Sequence, residues 1–562
     1  MKKIIDYVNK VILPWIMAFV LGVTGTIHTW YNFEKYIFDK GEDVVKFLPQ
    51  TIAPPENEIY LIDRGCLNDS TYPMITSLQG IVAQTQAKIY IYDSNRVMFA
   101  NDFLSANPDI TPVYYNDPWA LIEQCKISLA DNGFILYERG GNPTINMAAT
   151  IAGVERWLII DTAVETTAIE HGLVMKRDLT VKSNGEFTAT QSGVFAEYKD
   201  RLNNTFILHQ NPGNIFTRDY SIAIKAPCLF VDEKDNAGVA FRDEVFARTR
   251  GNSMLFGWTT DEGTYVERAS AYGLNVIASD FCMNLSFLAS VKQDEPITQK
   301  NIPRQITADK TKHYVAIVMS DGDNLQWFEG GFSFENSHFG KRQALDTSYK
   351  MSWTAPPIAA ELEPGVMKRV YATASGNDNF VCGVSGIGYI NPSRYPANFL
   401  NNFVNYTGYE MAKSDMKIVA ILDNVTGPKW VWEQTALKPA MAYFAKNDSI
   451  DGGIIQSGDR YAGIKGKIYW SGDKPFISCG LSFWYNGESD ESAKREWVEN
   501  FADEVNALPA GIHTQKGYTY LNVHPWSTSM EELNTLVSLL DDHIELVTAE
   551  ELVQLVKDHV WH

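Results

Sequence analysis

Two aspartates separated by one glycine, Asp321 and Asp323, close an apolar run, Val315-Ala-Ile-Val-Met-Ser320, and Asn324 follows them. A run that is apolar at both odd and even positions marks a parallel strand buried on both faces, so the pair falls where that strand ends. Carboxyl groups held close together raise one another's pKa and let an acid and a base coexist. The plainer alternative is a turn in which Asp and Asn bond their own backbone and Gly322 supplies an unusual φ. In a β/α barrel the C-terminal strand ends form the active face, and on that placement Asp321 and Asp323 are candidate acid/base residues.

The same residue types recur behind other apolar runs. Asn377-Asp378-Asn379 follows Lys368 to Thr373, Asp423 follows Lys417 to Leu422, Asp459 follows Gly452 to Gln456, and His524-Pro-Trp526 follows Tyr518 to Val523. If these runs are neighbouring strands, the groups ring one opening, with Asp378 and Asp423 as rivals for the role of second carboxyl. Aromatic residues crowd the region, among them Trp327, Trp353, Tyr389, Trp430, Trp432, Trp470, Trp484, Tyr485 and Trp526. Sugar rings stack their C–H faces on aromatic side chains while their hydroxyls need polar partners. The mixture suits a carbohydrate cleft; the competing use of such rings is core packing. The expected substrate contacts are Asn324, Trp327, Trp353, Asn377, Ser385, Tyr389, Asp459, His524 and Trp526. His524, before a proline, serves equally well as a turn residue. Asp261 and Glu262, after Gly257-Trp258, read as the cap of a helix beginning near Gly263, with a reach across the domain junction as the alternative.

Other chemistries are poorly represented. There is no GxSxG elbow, no Walker-type phosphate loop and no GxGxxG opening a helix. His338 and His524 are isolated, so no metal or other cofactor is expected, although a strand-end Asp pair with a late His would also fit a metal-dependent polysaccharide deacetylase. A net charge of -20 and the lack of a basic stripe exclude a nucleic-acid partner. The six cysteines are scattered with no CxxC pair, which excludes a zinc ribbon and suggests buried thiols.

These side chains must be carried by more than one core, because a single core stops growing at about 250 to 300 residues and the chain has 562. From Ile59 to Ala278 short β-rich runs alternate with helical stretches such as Tyr72 to Gln84, which predicts an α/β domain with a mainly parallel sheet over residues 57–295. Gln293 to Asp309 is polar, with Pro296 and Pro303, and forms the expected boundary. Beyond it eight strand-like runs, beginning at Tyr314, Tyr349, Lys368, Lys417, Gly452, Phe476, Tyr518 and Ile544, predict a β/α barrel-like domain over 305–562; seven strands or an irregular barrel would give the same pattern. At the other end, Lys2, Lys3 and Lys10 flank an apolar run from Val11 to Val23, so residues 1–28 read as a signal peptide or an uncleaved membrane anchor, and the protein is expected to be exported.

The segment Gly386-Ile-Gly388-Tyr389-Ile-Asn391-Pro392 resembles the motif that names the GxGYxYP family of glycoside hydrolases, with Asn391 in place of the second tyrosine and Tyr395-Pro396 just downstream. Ser320-Asp-Gly-Asp323-Asn, Ser352-Trp353-Thr, Asn377-Asp378-Asn379-Phe and His524-Pro-Trp526 also resemble its C-terminal domain. Ser77-Leu-Gln79-Gly80, Asn146 to Gly153 and Gly257-Trp258 to Glu262 resemble its N-terminal part. The resemblance implies hydrolysis of a glycosidic bond by paired carboxyl groups. A non-catalytic glycan-binding surface protein is the rival reading.

Overall fold

A computed structural model describes residues 52–562 except 293–295, 301–305, 334–337, 346–347, 424–431 and 488–489. The apolar N-terminal segment, part of the expected domain boundary and Trp430 lie outside the described residues. Among the described residues no helix is long and apolar enough to cross a membrane. All six cysteines are unpaired, and five of them are buried.

The first half holds three short sheets. β1 (Glu58–Asp63), β2 (Ile89–Tyr92) and β3 (Thr111–Tyr115) pair in the order β2-β1-β3, and β4 (Gly133–Tyr137), β5 (Leu158–Asp161) and β6 (Val174–Asp178) in the order β5-β4-β6, all parallel. A small antiparallel hairpin follows, β7 (Lys182–Ser183) with β8 (Glu186–Phe187). β9 (Phe206–His209), β10 (Cys228–Leu229), β11 (Met254–Gly257) and β12 (Asn275–Ala278) then form a parallel sheet in the order β10-β9-β11-β12. The helix Thr71–Ala83 is buried along its whole length. It carries no polar stripe because protein surrounds it on every side.

The second half is a closed parallel barrel. Its ring is β13 (His313–Met319), β14 (Met351–Ala355), β15 (Asp378–Cys382), β16 (Ile418–Leu422), β17 (Gly452–Gln456), β19 (Lys474–Phe483) and β20 (Tyr518–Val523), which returns to β13. β18 (Ile468–Ser471) folds back antiparallel on β19. The seven-strand count has a local cause. β14 pairs only with Val318 and Met319 at the far end of β13, and β21 (Ile544–Val547) fills the splayed seam by pairing with His313 to Ala316.

One strand expectation is corrected. Lys368 to Thr373 belongs to a helix, Pro364–Thr373, and the strand in that place is β15. Two signals in the sequence favour the helix. Pro364 sits in its first turn, where a missing N–H costs nothing, and Val366, Met367, Val370 and Tyr371 bury one face at helical spacing.

The two halves are stitched together at the glycine motif. Val276 N donates to Tyr389 O at 3.0 Å and Tyr389 N donates to Val276 O at 2.7 Å, so β12 and the motif segment form an antiparallel bridge. Gly388 makes this approach possible: a Cβ there would lie 2.5 Å from Asn275 Oδ1. Nearby, the buried Tyr395 donates to Asn252 Oδ1 at 2.7 Å, a contact from the second half into the first.

Candidate active site

Asp321 and Asp323 sit directly beyond β13, at the C-terminal end of the barrel, and both keep partial solvent exposure. Asp321 adopts φ 64°, the left-handed region that Asp tolerates better than most residues. Gly322 between them donates its N–H to Thr354 Oγ1 at 2.9 Å, and a Cβ on it would fall 1.8 Å from Thr354 O. No other residue fits that position, so the glycine fixes the spacing of the two carboxyl groups.

Each carboxyl is electrostatically uncomfortable. Burial pushes Asp323 up to about 8, with the Asp321 charge and then Glu262 adding to it. Burial also raises Asp321, to about 6, against hydrogen bonds from Ser320 and Trp526, with Glu262 again adding repulsion. At neutral pH the arrangement therefore holds a proton on Asp323 beside an ionised Asp321.

Glu262 enters from the first half. It opens the helix Glu262–Ala271, and Asp261 just before it is the cap, accepting from Thr264 N at 3.0 Å. Glu262 accepts from Tyr389 OH at 3.1 Å, and its carboxyl is raised by burial against that bond. Trp258 stacks on Tyr389 with centroids 6.3 Å apart. Burial raises Tyr461, beyond β17, and the charges of Asp321, Glu262 and Asp323 add to it. Three carboxyl groups and two tyrosines from both halves thus share one electrostatic neighbourhood.

The rim is aromatic. Trp526 is 58% exposed, lies close enough to Asp321 to lower its pKa, and tilts against Trp327 at 4.8 Å. His524 lies face to face with Trp484, centroids 3.4 Å apart, and its Nδ1 is 2.9 Å from Ser527 Oγ. Burial lowers its pKa to about 4, so the ring is neutral above that pH.

Several sequence expectations land elsewhere. Asp378 and Asn377 stand at the start of β15, the opposite end of the barrel from Asp321, because the preceding segment is a helix. Asp378 accepts from Arg342 Nε at 2.5 Å, Trp353 Nε1 at 3.0 Å and Ser375 Oγ at 2.6 Å. Burial would raise its pKa, but Arg342 and these donors hold it below the ordinary value. Trp353 is fully buried in the core with Phe332 and Phe339 around it. Asp423 does lie at the C-terminal end of β16, but it is sealed, accepting from Ser393 N at 2.9 Å and Oγ at 2.7 Å, and burial raises it to about 7. Ser385 is buried and donates to Ile390 O and Leu422 O, which makes it a strut. Asn324 caps the following helical turn by accepting from Trp327 N at 3.1 Å. Tyr389 is 4% exposed and touches the site through Glu262. Asp459 stands exposed on the loop after β17.

The sequence pointed less clearly to Glu262 and Tyr461. Glu262 follows its own helix cap, which masked it, and Tyr461 carries no pattern of its own. Cys282, Glu329 and Glu363 form a separate buried group whose ligand atoms all lie within 4.8 Å of one another, with the Arg96 guanidinium against Glu329 at 3.4 Å.

Parallel α/β modules clasped to a closed seven-stranded β/α barrel, with carboxyl groups at the barrel's C-terminal mouth, define the class. The chain belongs to the GxGYxYP family: residues 132–202 match its second domain, 204–290 its third, and 311–557 the "GxGYxYP putative glycoside hydrolase C-terminal domain". A "putative hydrolase" from Bacteroides thetaiotaomicron VPI-5482 shares the fold at TM-score 0.79 and 21% identity, covering 92% of this chain and 97% of that one. A "putative polysaccharide deacetylase" from Mycobacterium smegmatis (TM-score 0.31, 10% identity, 47% of this chain and 95% of that one) and a 4-alpha-glucanotransferase from Thermococcus litoralis (0.28, 13%, 43% and 40%) resemble it too weakly to bear on its chemistry. No curated protein matches the sequence significantly.

Proposed function

We propose that the protein is a glycoside hydrolase acting on an exported or cell-surface glycan, with Asp323 as proton donor and an ionised carboxylate, Asp321 or Glu262, as its partner. The observation that carries this is the placement of Asp321 and Asp323, both partly exposed, directly beyond β13 at the C-terminal end of the barrel, and the elevation of the two carboxyls to about 6 and about 8 supports it. Asp323 gives its proton to the glycosidic oxygen as the bond from that oxygen to the anomeric carbon breaks. Water adds to the anomeric carbon, either directly or after a carboxylate has occupied it, and the water's proton returns to a carboxylate. Trp526 offers an exposed ring beside Asp321 on which a sugar can stack. The basic start and the apolar run Val11 to Val23 support the export reading.

The test is turnover on a panel of aryl glycosides and neutral and acidic oligosaccharides. The Asp323→Asn variant is expected to lose about 10²- to 10⁴-fold in kcat/KM, the range supplied by a positioned general acid, while circular dichroism stays that of the parent. Retained turnover within a few-fold, or a parent inert on every glycan, overturns the proposal.

A further inference from the structure

A hollow of about 590 Å³ lies in the first half of the molecule. The loops that close it follow β1, β4, β9 and β12, four parallel strands drawn from three sheets. Crevices beyond the carboxyl ends of parallel strands are where α/β folds bind ligands, because divergent loops there leave an opening that the sheet itself holds rigid.

The lining specifies the ligand class. Asp69, Glu138 and Asp280 contribute three carboxyl groups, and the two cations beside them are already engaged: Arg139 by Asp69 at 2.9 Å and Asp161 at 3.5 Å, Lys182 by Glu138 at 2.8 Å. That balance disfavours a phosphate or any other anion. Phe281 is 51% exposed and tilts against Phe216 with centroids 5.7 Å apart, so an apolar platform borders the carboxyl groups. Tyr137 lines the hollow, is 1% exposed overall, and its hydroxyl, just beneath the surface, has no hydrogen-bond partner among the described residues. A buried hydroxyl without a partner is uncommon in a native fold and marks a place where a ligand or water completes the bonding. An aromatic face beside an unpaired hydroxyl and acceptor-rich carboxylates matches a neutral polyol ring.

We propose that this hollow is a second, non-catalytic carbohydrate site that takes a neutral sugar unit. It rests on the carbohydrate reading of the barrel for its choice of probe, and it is tied to that barrel physically. Asp280 Oδ1 accepts from Gln326 Nε2 at 2.7 Å, and Gln326 lies on the segment that leaves Asp323. The wall of the hollow is thus hydrogen-bonded, through Asp280, to the segment that follows the acid.

The experiment is calorimetric titration of the Asp323→Asn protein, which does not consume its ligand, with neutral gluco-, manno-, galacto- and xylo-oligosaccharides, and with polygalacturonate as the acidic control. The expected result is binding of a neutral oligosaccharide that Phe281→Ala, added to Asp323→Asn, weakens at least tenfold and that added Tyr137→Phe weakens several-fold, with unchanged thermal midpoints. Phe281 is exposed, so its loss tests binding without threatening the fold. Turnover of small aryl glycosides by the single Phe281→Ala variant is expected to match the parent. Equal affinity with and without Phe281, preference for the acidic polymer, or no binding of any neutral oligosaccharide overturns the proposal. Phe281-dependent binding by a protein inert on every glycan would leave this site standing and sink the hydrolase; turnover with no dependence on Phe281 would do the reverse.

Discussion

The two ends of the barrel use the same residue type in opposite ways. At the N-terminal end Asp378 is wrapped by Arg342, Trp353 and Ser375, and its charge is held below the ordinary pKa. At the C-terminal end Asp321, Asp323 and Glu262 are each raised by burial, and the Glu262 charge adds to the shift of both aspartates. The first arrangement stabilises a charge that no solute reaches. The second keeps partly exposed carboxyl groups short of partners, which costs stability and leaves a proton available for transfer. An aspartate in this molecule is legible as structural or chemical from its donors, whatever its neighbours in sequence.

The comparison breaks most visibly at Asp378. Replacing it with alanine strands the buried Arg342, and chemical denaturation is expected to show a loss of about 3–5 kcal/mol. Asp323→Asn is expected to do the opposite. Between about pH 4, where an unfolded carboxyl releases its proton, and about 8, where the folded Asp323 does, only the folded chain stays protonated, so stability falls as pH rises. An amide removes that loss, and the melting temperature of the variant should exceed the parent's by the widest margin above pH 8. Equal melting curves across that range would mean that folding does not raise the Asp323 carboxyl, and the contrast with Asp378 would fail.

A smaller effect sharpens the coupling inside the pair. The Asp321 charge holds the Asp323 proton on, so Asp321→Asn should move the alkaline limb of the pH–rate profile to lower pH, and the acidic limb near 6 should weaken if Asp321 is its source. The least expensive change is Asn324→Ala, which removes one cap from the turn at Trp327 and is expected to cost about 1 kcal/mol in denaturation.

Much of the barrel was legible because buried parallel strands are written as apolar runs; β13 and β16 carry that signature almost unbroken, while β17, β19, β20 and β21 carry it with a glycine, a polar residue or a charge inside the strand. The Lys368 segment misled because Arg-Val-Tyr-Ala-Thr has strand-like composition, and its helical period emerges only when Pro364 and Val366 are included. That one shift moved Asp378 and Asn377 from the floor of the barrel to its mouth. The Asp321–Asp323 pair was legible because glycine spacing and strand end coincide in one short stretch. Glu262 was hard to find because its approach to Tyr389 depends on how the two halves pack, which no local pattern encodes. Ser385 and Asp423 have the right chemistry, and what removes them from the cleft is burial under neighbouring loops.

The bridge between β12 and Tyr389 brings Glu262 to the barrel from a stretch that leaves the ribosome before the barrel does. An emerging chain therefore carries its third acid without the other two, and a barrel cut free of its partner would have the pair without the third. The full set of three carboxyl groups exists only once both portions have closed on each other, so the environment of Asp321 and Asp323 is a product of docking as well as of barrel folding.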